Sequence, residues 1–225
     1  MDQGLVRNNR GEIIMKLDEL AIKHGTDKSS KHHNYTESYE IEFKPLHNKK
    51  LNILEVGIYE GASLKLWKEY FPKSTIVGVD IVDMITKKHP DIIDNKQCFI
   101  EIGSQDNIEF LTNISNKYKN FDIMIEDASH MASLSIKSFE ILFPLLKSGG
   151  KYIIEDVGVF YSNSGKGSTY KDLGEGKTTM EYMFRLVNQI NNEWYLDINN
   201  KPTSYYYKNI KGIKFYQGMI VIDKK

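Results

Sequence analysis

From Leu51 onward the chain alternates short apolar runs of strand length with stretches whose apolar residues recur at helical spacing. This alternation is the signature of successive βαβ units around a parallel sheet, and it leaves few other folds open. The runs are NILEVG (52–57), TIVGVDI (75–81), QCFIEIG (97–103), FDIMIED (121–127) and KYIIEDV (151–157). Their near-continuous apolar character predicts strands buried on both faces. Between them, 62–71 carries Leu64, Trp67 and Phe71 on one face, and 135–146 carries Ile136, Phe139 and Leu142 or Phe143. Both are predicted helices.

The flanks are read in the same way. Ile14, Leu17, Leu20 and Ala21 predict a helix over 12–24, stopped by Gly25. A polar loop follows, and Tyr35, Tyr39 and Phe43 mark a short amphipathic helix ending near Pro45. Beyond Val157 comes a Ser/Gly-rich stretch, then a helix over 180–192. The runs 210–216 and 219–224, joined by Gln217-Gly218, predict an antiparallel hairpin. No repeat occurs, and no linker divides the chain before Tyr161. The expected architecture is α/β: a mostly parallel seven-stranded sheet with a C-terminal antiparallel hairpin and helices on both faces. Residues 1–50 form an N-terminal helical or lid segment and 51–225 a Rossmann-like domain.

Composition narrows the function. Thirty Lys and Arg balance thirty Asp and Glu, so the net charge is zero and the field that draws basic proteins onto nucleic acid is missing. No apolar run approaches the roughly 20 residues of a membrane span, and the N-terminus lacks an apolar signal core, so a cytoplasmic location with no membrane partner is expected. The single cysteine, Cys98, excludes an intrachain disulfide and a cysteine-based zinc cluster, and is expected in the core.

The first run ends in Glu55-Val56-Gly57-Ile58-Tyr59-Glu60-Gly61-Ala62-Ser63. Glycines at a strand-to-helix turn admit a ligand close to the backbone, and the helix start offers free N–H groups to an anion or zwitterion. Asp80, about twenty residues beyond Gly57, stands where an acid bonds a ribose hydroxyl pair. Separately, the turn has a plain structural explanation and the acid could be a cap; together they favour an adenosine site. Tyr59 stands where a nicotinamide fingerprint needs its second glycine, which disfavours a pyrophosphate and points to S-adenosylmethionine.

The fourth run ends in Glu126-Asp127-Ala128-Ser129-His130 and the fifth in Glu155-Asp156. Ligands of open α/β sheets bind beyond the carboxyl ends of the strands, so these acids converge on the rim that carries the glycine turn. Asp127, Glu155 and Asp156 would then suit a Mg²⁺ ion, which takes oxygen ligands. The residues alone leave a second reading open, in which each acid caps a helix or pairs with a lysine. His130 is the natural general base, because an imidazole ordinarily titrates near pH 6.5. His24, His32, His33, His47 and His89 show no metal-ligand spacing.

The segments ILEVGIYEGASLKLWKEYFP, GVDI, EDASH and YIIEDV, with GTDK and HNYTESYE upstream, resemble the class I methyltransferases, and within them the metal-dependent macrocin- and mycinamicin-type sugar O-methyltransferases. The resemblance spans about residues 22–160. It implies that Glu55 lies near the methionine portion of S-adenosylmethionine, that Asp80 holds the ribose, and that Gln105, or Asp106 beside it, faces the adenine. It implies the metal ligands Asp127, Glu155 and Asp156, with Ala128 where the family often has glycine. The acceptor would be a hydroxyl of a sugar, glycan precursor or other small molecule, or a compact phosphate-type anion; a non-catalytic cofactor-binding protein is the alternative. GTDK (25–28) and Tyr35 are read as a lid or as a surface loop, and 161–177 as an acceptor lid or an insertion. A homo-oligomer is compatible with all of this.

Overall fold

A computed structural model describes residues 16–88, 90–93, 96–158, 172–173, 177–191 and 205–225. Its strands are β1 (Asn52–Val56), β2 (Thr75–Asp80), β3 (Cys98–Ile102), β4 (Phe121–Glu126), β5 (Leu146–Ile154), β6 (Ile210–Tyr216) and β7 (Met219–Lys224). They form one seven-stranded sheet in the order β3-β2-β1-β4-β5-β7-β6. The first five are parallel; β7 runs antiparallel to β5, and β6 antiparallel to β7. This is the class I methyltransferase arrangement that the alternating pattern and terminal hairpin predict.

The helices are α1 (Leu17–His24), α2 (Tyr35–Phe43), α3 (Ala62–Tyr70), α4 (Ile85–Lys88), α5 (Ile108–Lys117), α6 (Ala132–Leu145), α7 (Thr179–Ile190) and α8 (Tyr205–Asn209). Strand side chains alternate between two cores. Ile53 and Ile123 face one that includes Tyr39 and Phe43 of α2 and Trp67 of α3, with Phe71 just beyond it. Leu54 and Met124 face the other, which holds Phe139 and Phe143 of α6 and Met183 of α7. Both faces are covered, which accounts for the continuous apolar runs. Cys98 is fully buried, as expected.

Some elements differ from expectation for local reasons. β5 begins at Leu146 rather than 151, because Leu146 still pairs with Phe121 before the register breaks; Ser148-Gly149-Gly150 lie in that break, and Gly149 is left-handed at φ 75°. That pairing also ends α6 one residue early. α8 was not anticipated, and at five residues it is too short for periodicity to announce. α1 begins at Leu17, and the predicted turn over 12–15 lies outside the described residues, as does most of the 161–177 stretch. The expected Gly25 stop is seen, with φ 69° and its N–H on Ile22 O.

Register places the site. Val56 pairs with Val79 on one side and Glu126 on the other, and Glu126 pairs with Ile154, so four parallel strands end level. Backbone bonds extend this one residue further: Gly57 N–H donates to Val79 O, Asp127 N–H to Val56 O and Glu155 N–H to Glu126 O. The residues after each strand are thereby held side by side.

Candidate active site

Beyond these strand ends lies a cavity of about 710 Å³, lined by the glycine turn, Asp80, Gly103–Gln105, Asp127–His130, Asp156 and, from the N-terminal segment, residues 25–28. Its volume falls in the range of small-molecule and cofactor sites.

One wall is the glycine turn. Gly57 has φ 91°, and a Cβ there would lie 2.1 Å from Asp127 O. Its glycine is therefore demanded by the close approach of β1 and β4 as well as by conformation. Asp80 Oδ2 accepts the N–H groups of Ile58 and Tyr59, both at 3.0 Å, and Oδ1 accepts that of Val82 at 3.2 Å. Asp80 ties the turn to β2 while its carboxylate lines the cavity. Ser63, in the first turn of α3, donates at 2.7 Å to Glu55 Oε2, and Glu55 is fully buried. Gln105 lines the cavity, yet its amide is committed to protein: Nε2 donates to Glu126 Oε1 (3.0 Å) and Ser138 Oγ (3.2 Å), and Oε1 accepts Ser129 N–H. Asp106 instead bonds Ser104 and Lys137.

The opposite wall carries the acids. Asp127, His130 and Asp156 are half-buried, with ligand atoms within 4.8 Å of one another, and His130 Nε2 lies 3.5 Å from Asp156 Oδ2. Both His130 and Asp156 have φ 55°, in the left-handed region that costs a non-glycine residue about 1–3 kcal/mol. Such strain at adjoining residues is typical of functional sites. Glu155 faces the other way. It is 3% exposed, accepts the Tyr39 hydroxyl, and takes a 2.8 Å bond from Lys28 Nζ. Thus the three expected metal acids are neighbours, but Asp127 and Asp156 share the cavity face with His130, whereas Glu155 lies behind them.

The N-terminal segment, for which the sequence left a lid and a surface loop open, builds much of this wall, and the burial of its Lys28 is what the sequence did not announce. Lys28 is fully buried, with Nζ 2.6 Å from Asp127 Oδ2 and 3.5 Å from Glu55 Oε1. Tyr35 donates to Asp156 Oδ1 at 2.7 Å, and its ring packs on Gly218 of the terminal hairpin. Thr26 and Ser29 are also buried, so residues 26–29 are part of the site's foundation. The spacing of Tyr35, Tyr39 and Phe43 did mark one helix face, but nothing local distinguishes Lys28 from a solvated lysine.

The charges are unequal. Burial pushes the carboxyls of Glu55, Glu126, Asp127 and Glu155 above their ordinary range, with Lys28 opposing the rise at Glu55, Asp127 and Glu155. Burial alone would lower Lys28, but Asp127, Glu155 and Glu55 overcome it and raise it well above the usual lysine value. The arrangement can hold a cation at its cavity face and pass a proton at His130.

No family model matches the chain. Among curated proteins it is 32% identical, over 92% of its length, to the 8-demethyl-8-(2-methoxy-alpha-L-rhamnosyl)-tetracenomycin-C 3'-O-methyltransferase of Streptomyces olivaceus, covering 53% of that protein. It is 31% identical, again over 92% of its length, to the mycinamicin VI 2''-O-methyltransferase of Micromonospora griseorubida, covering 52%. Among solved structures it matches the MycE methyltransferase of the mycinamycin pathway, in complex with Mg, SAH and mycinamycin VI, with a TM-score of 0.78 and 28% identity over 95% of this chain and 56% of that one. The chain spans about half the length of these relatives.

Proposed function

We propose, for a chain that resembles the sugar O-methyltransferases over nine-tenths of its length, that it is an S-adenosylmethionine-dependent, Mg²⁺-dependent O-methyltransferase acting on a hydroxyl of a sugar or other small molecule. The observation that carries this reading is one cavity with the glycine turn and Asp80 on one wall and Asp127, His130 and Asp156 on the other. When bound, S-adenosylmethionine supplies the methyl group and a divalent ion the Lewis acidity for an oxygen nucleophile.

Asp80 keeps acceptor capacity for the ribose hydroxyls beyond its three backbone bonds, since a carboxylate offers about four lone-pair sites. Gly57, Gly61 and Ser63 shape the turn and its helix start, and Glu55 lies beneath the methionine end. Gln105 supports the adenine wall through its backbone and by orienting Ser129 and Glu126. Asp127 and Asp156, hard oxygen donors on the cavity face, would hold the metal, with Glu155 linked to Asp127 through Lys28. His130 takes the proton of the acceptor hydroxyl, and Asp156 beside it stabilises the resulting imidazolium. Positioning of acceptor against methyl donor supplies much of the acceleration. The protein works in the cytoplasm on a small-molecule acceptor, without nucleic-acid or membrane partners; among the described residues no helix is long and apolar enough to cross a membrane.

The test is titration calorimetry with S-adenosylmethionine and with NAD, followed by transfer of labelled methyl to a panel of free, nucleotide-linked and macrolide-linked sugars with Mg²⁺. Binding of S-adenosylmethionine and label on a sugar oxygen are expected. Binding of NAD alone would overturn the reading.

A further inference from the structure

Two groups of metal-ligand atoms meet at Asp127. The outer group, Asp127, His130 and Asp156, is half-buried on the cavity wall; the inner group, Glu55, Asp127 and Glu155, lies behind it. In each the ligand atoms are within 4.8 Å of one another. Donor spacing alone would let either hold a divalent ion.

The inner group differs in already containing a cation. Lys28 Nζ is 2.6 Å from Asp127 Oδ2, 2.8 Å from Glu155 Oε2 and 3.5 Å from Glu55 Oε1, and its side chain is 1% exposed. Glu55 Oε1 is itself buried and is the Glu55 oxygen nearest the ammonium, while Ser63 holds the other carboxylate oxygen. The lysine is tethered as well. Its carbonyl accepts Thr36 N–H at the start of α2, and Thr26 N–H bonds back to Ala21 O in α1. Withdrawing Nζ would mean unpacking the segment between two helices. A metal ion entering this group would have to displace a cation held by the fold and leave an ammonium buried without partners, which is strongly unfavourable.

We propose that Lys28 is a positioning residue, the site's internal cation: it closes the inner carboxylate group to metal and confines a divalent ion to the cavity face between Asp127 and Asp156, with Asp127 shared between the two groups and His130 left free of the ion to act as base. It also orients Asp127 by binding Oδ2, and it keeps Glu155 turned from the cavity. This rests on the metal reading of the cavity face given above.

The probe is Mn²⁺, counted by the electron paramagnetic resonance signal of the free ion during titration of the full chain without cofactor. Wild type should bind one ion. Lys28→Met, which keeps the length of the stem and removes the charge, should bind two, and adding Asp156→Asn to it should remove one of them. Equal counts of one in wild type and Lys28→Met would overturn the inference while leaving the metal reading standing. No ion on wild type would remove the metal reading itself, and this inference with it. Should Lys28→Met fail to fold, anomalous diffraction from wild-type crystals soaked in Mn²⁺ decides the matter. A peak between Asp127 and Asp156 supports the assignment, and a peak among Glu55, Asp127 and Glu155 overturns it.

Discussion

Two ionic clusters, one partly buried along β5 and one just past its end, are balanced differently. Within the strand, Lys151 Nζ bonds Glu42 and Asp223, both at 2.7 Å, and Lys214 Nζ reaches the same two acids at 2.8 Å. Two carboxylates meet two ammonium groups, and the Tyr216 hydroxyl also donates to Glu42. Although burial pushes both acids up, these partners hold Glu42 and Asp223 below the ordinary carboxylate range. Just past the end of the same strand, Glu55, Asp127 and Glu155 share Lys28, and burial keeps all three above it. The first cluster is a completed network that pins α2 to the β5–β7–β6 edge. The second sets three carboxylates around one ammonium that already fills the space behind Asp127, so a further cation would be met on the cavity face, at Asp127 and Asp156.

The largest expected effect follows directly. Rigorous chelation should abolish methyl transfer, with Mg²⁺ restoring it, while S-adenosylmethionine affinity by calorimetry stays largely intact, because the carboxylates serve the acceptor wall. Full activity without metal would show that the acids of the cavity face have another purpose. Next in size, His130→Ala should keep both cofactor and metal binding yet lose about 10²–10⁴-fold in turnover, the usual contribution of a positioned base. If His130 instead serves the fold, through its left-handed backbone and its contact with Asp156, activity would recover once the folded fraction is corrected for.

The two walls of the cavity also differ in how far the sequence revealed them. The glycine turn and Asp80 interact over short separations, Ile58 and Tyr59 lying 22 and 21 residues from Asp80, within one βαβ unit. Local spacing therefore announces that wall. The acid wall depends on contacts spanning 99 residues for Lys28 with Asp127, 127 for Lys28 with Glu155 and 121 for Tyr35 with Asp156. Strand-end logic brought the acids to the rim, yet it was silent on which way Glu155 points. Nor does a lysine in a polar loop signal that it is destined for burial. The lysine-pairing reading of the acids and the metal reading describe different faces of one cluster: Glu155 pairs with lysine, and Asp156 faces the cavity. Gln105, expected to face an adenine, lines the cavity, and its amide serves Glu126, Ser138 and Ser129.

A smaller effect separates the walls from each other. Asp80→Ala removes a charge-assisted acceptor and should weaken S-adenosylmethionine binding by about 1.5–3 kcal/mol, roughly 10- to 150-fold, measured by calorimetry. Mn²⁺ affinity should not move, because Asp80 belongs to the glycine turn and contributes nothing to the acid wall. Unchanged cofactor affinity in a well-folded variant would reduce Asp80 to a residue that only ties the turn to β2.

The smallest effect concerns the balanced cluster and asks whether balance alone makes it structural. Glu42→Gln keeps the shape but removes the charge that Lys151, Lys214 and Tyr216 address, and should cost about 1.5 kcal/mol in urea unfolding, the lower end for a hydrogen bond to a charged group. Metal and cofactor binding should be unaffected. The sign of its pH dependence follows from the direction of the shift. A carboxyl whose folded pKa is depressed contributes stability that is fully present above its unfolded value, about 4.5 for glutamate, and is lost as pH falls through the folded value. Wild type should therefore lose stability on acidification below about pH 4.5 more steeply than Glu42→Gln, and the two curves should converge at low pH, where the glutamate is neutral. Curves that stay parallel to the acid limit would mean that Glu42 acts through packing and neutral hydrogen bonds, and the contrast with the cluster just past the end of β5 would lose its electrostatic basis.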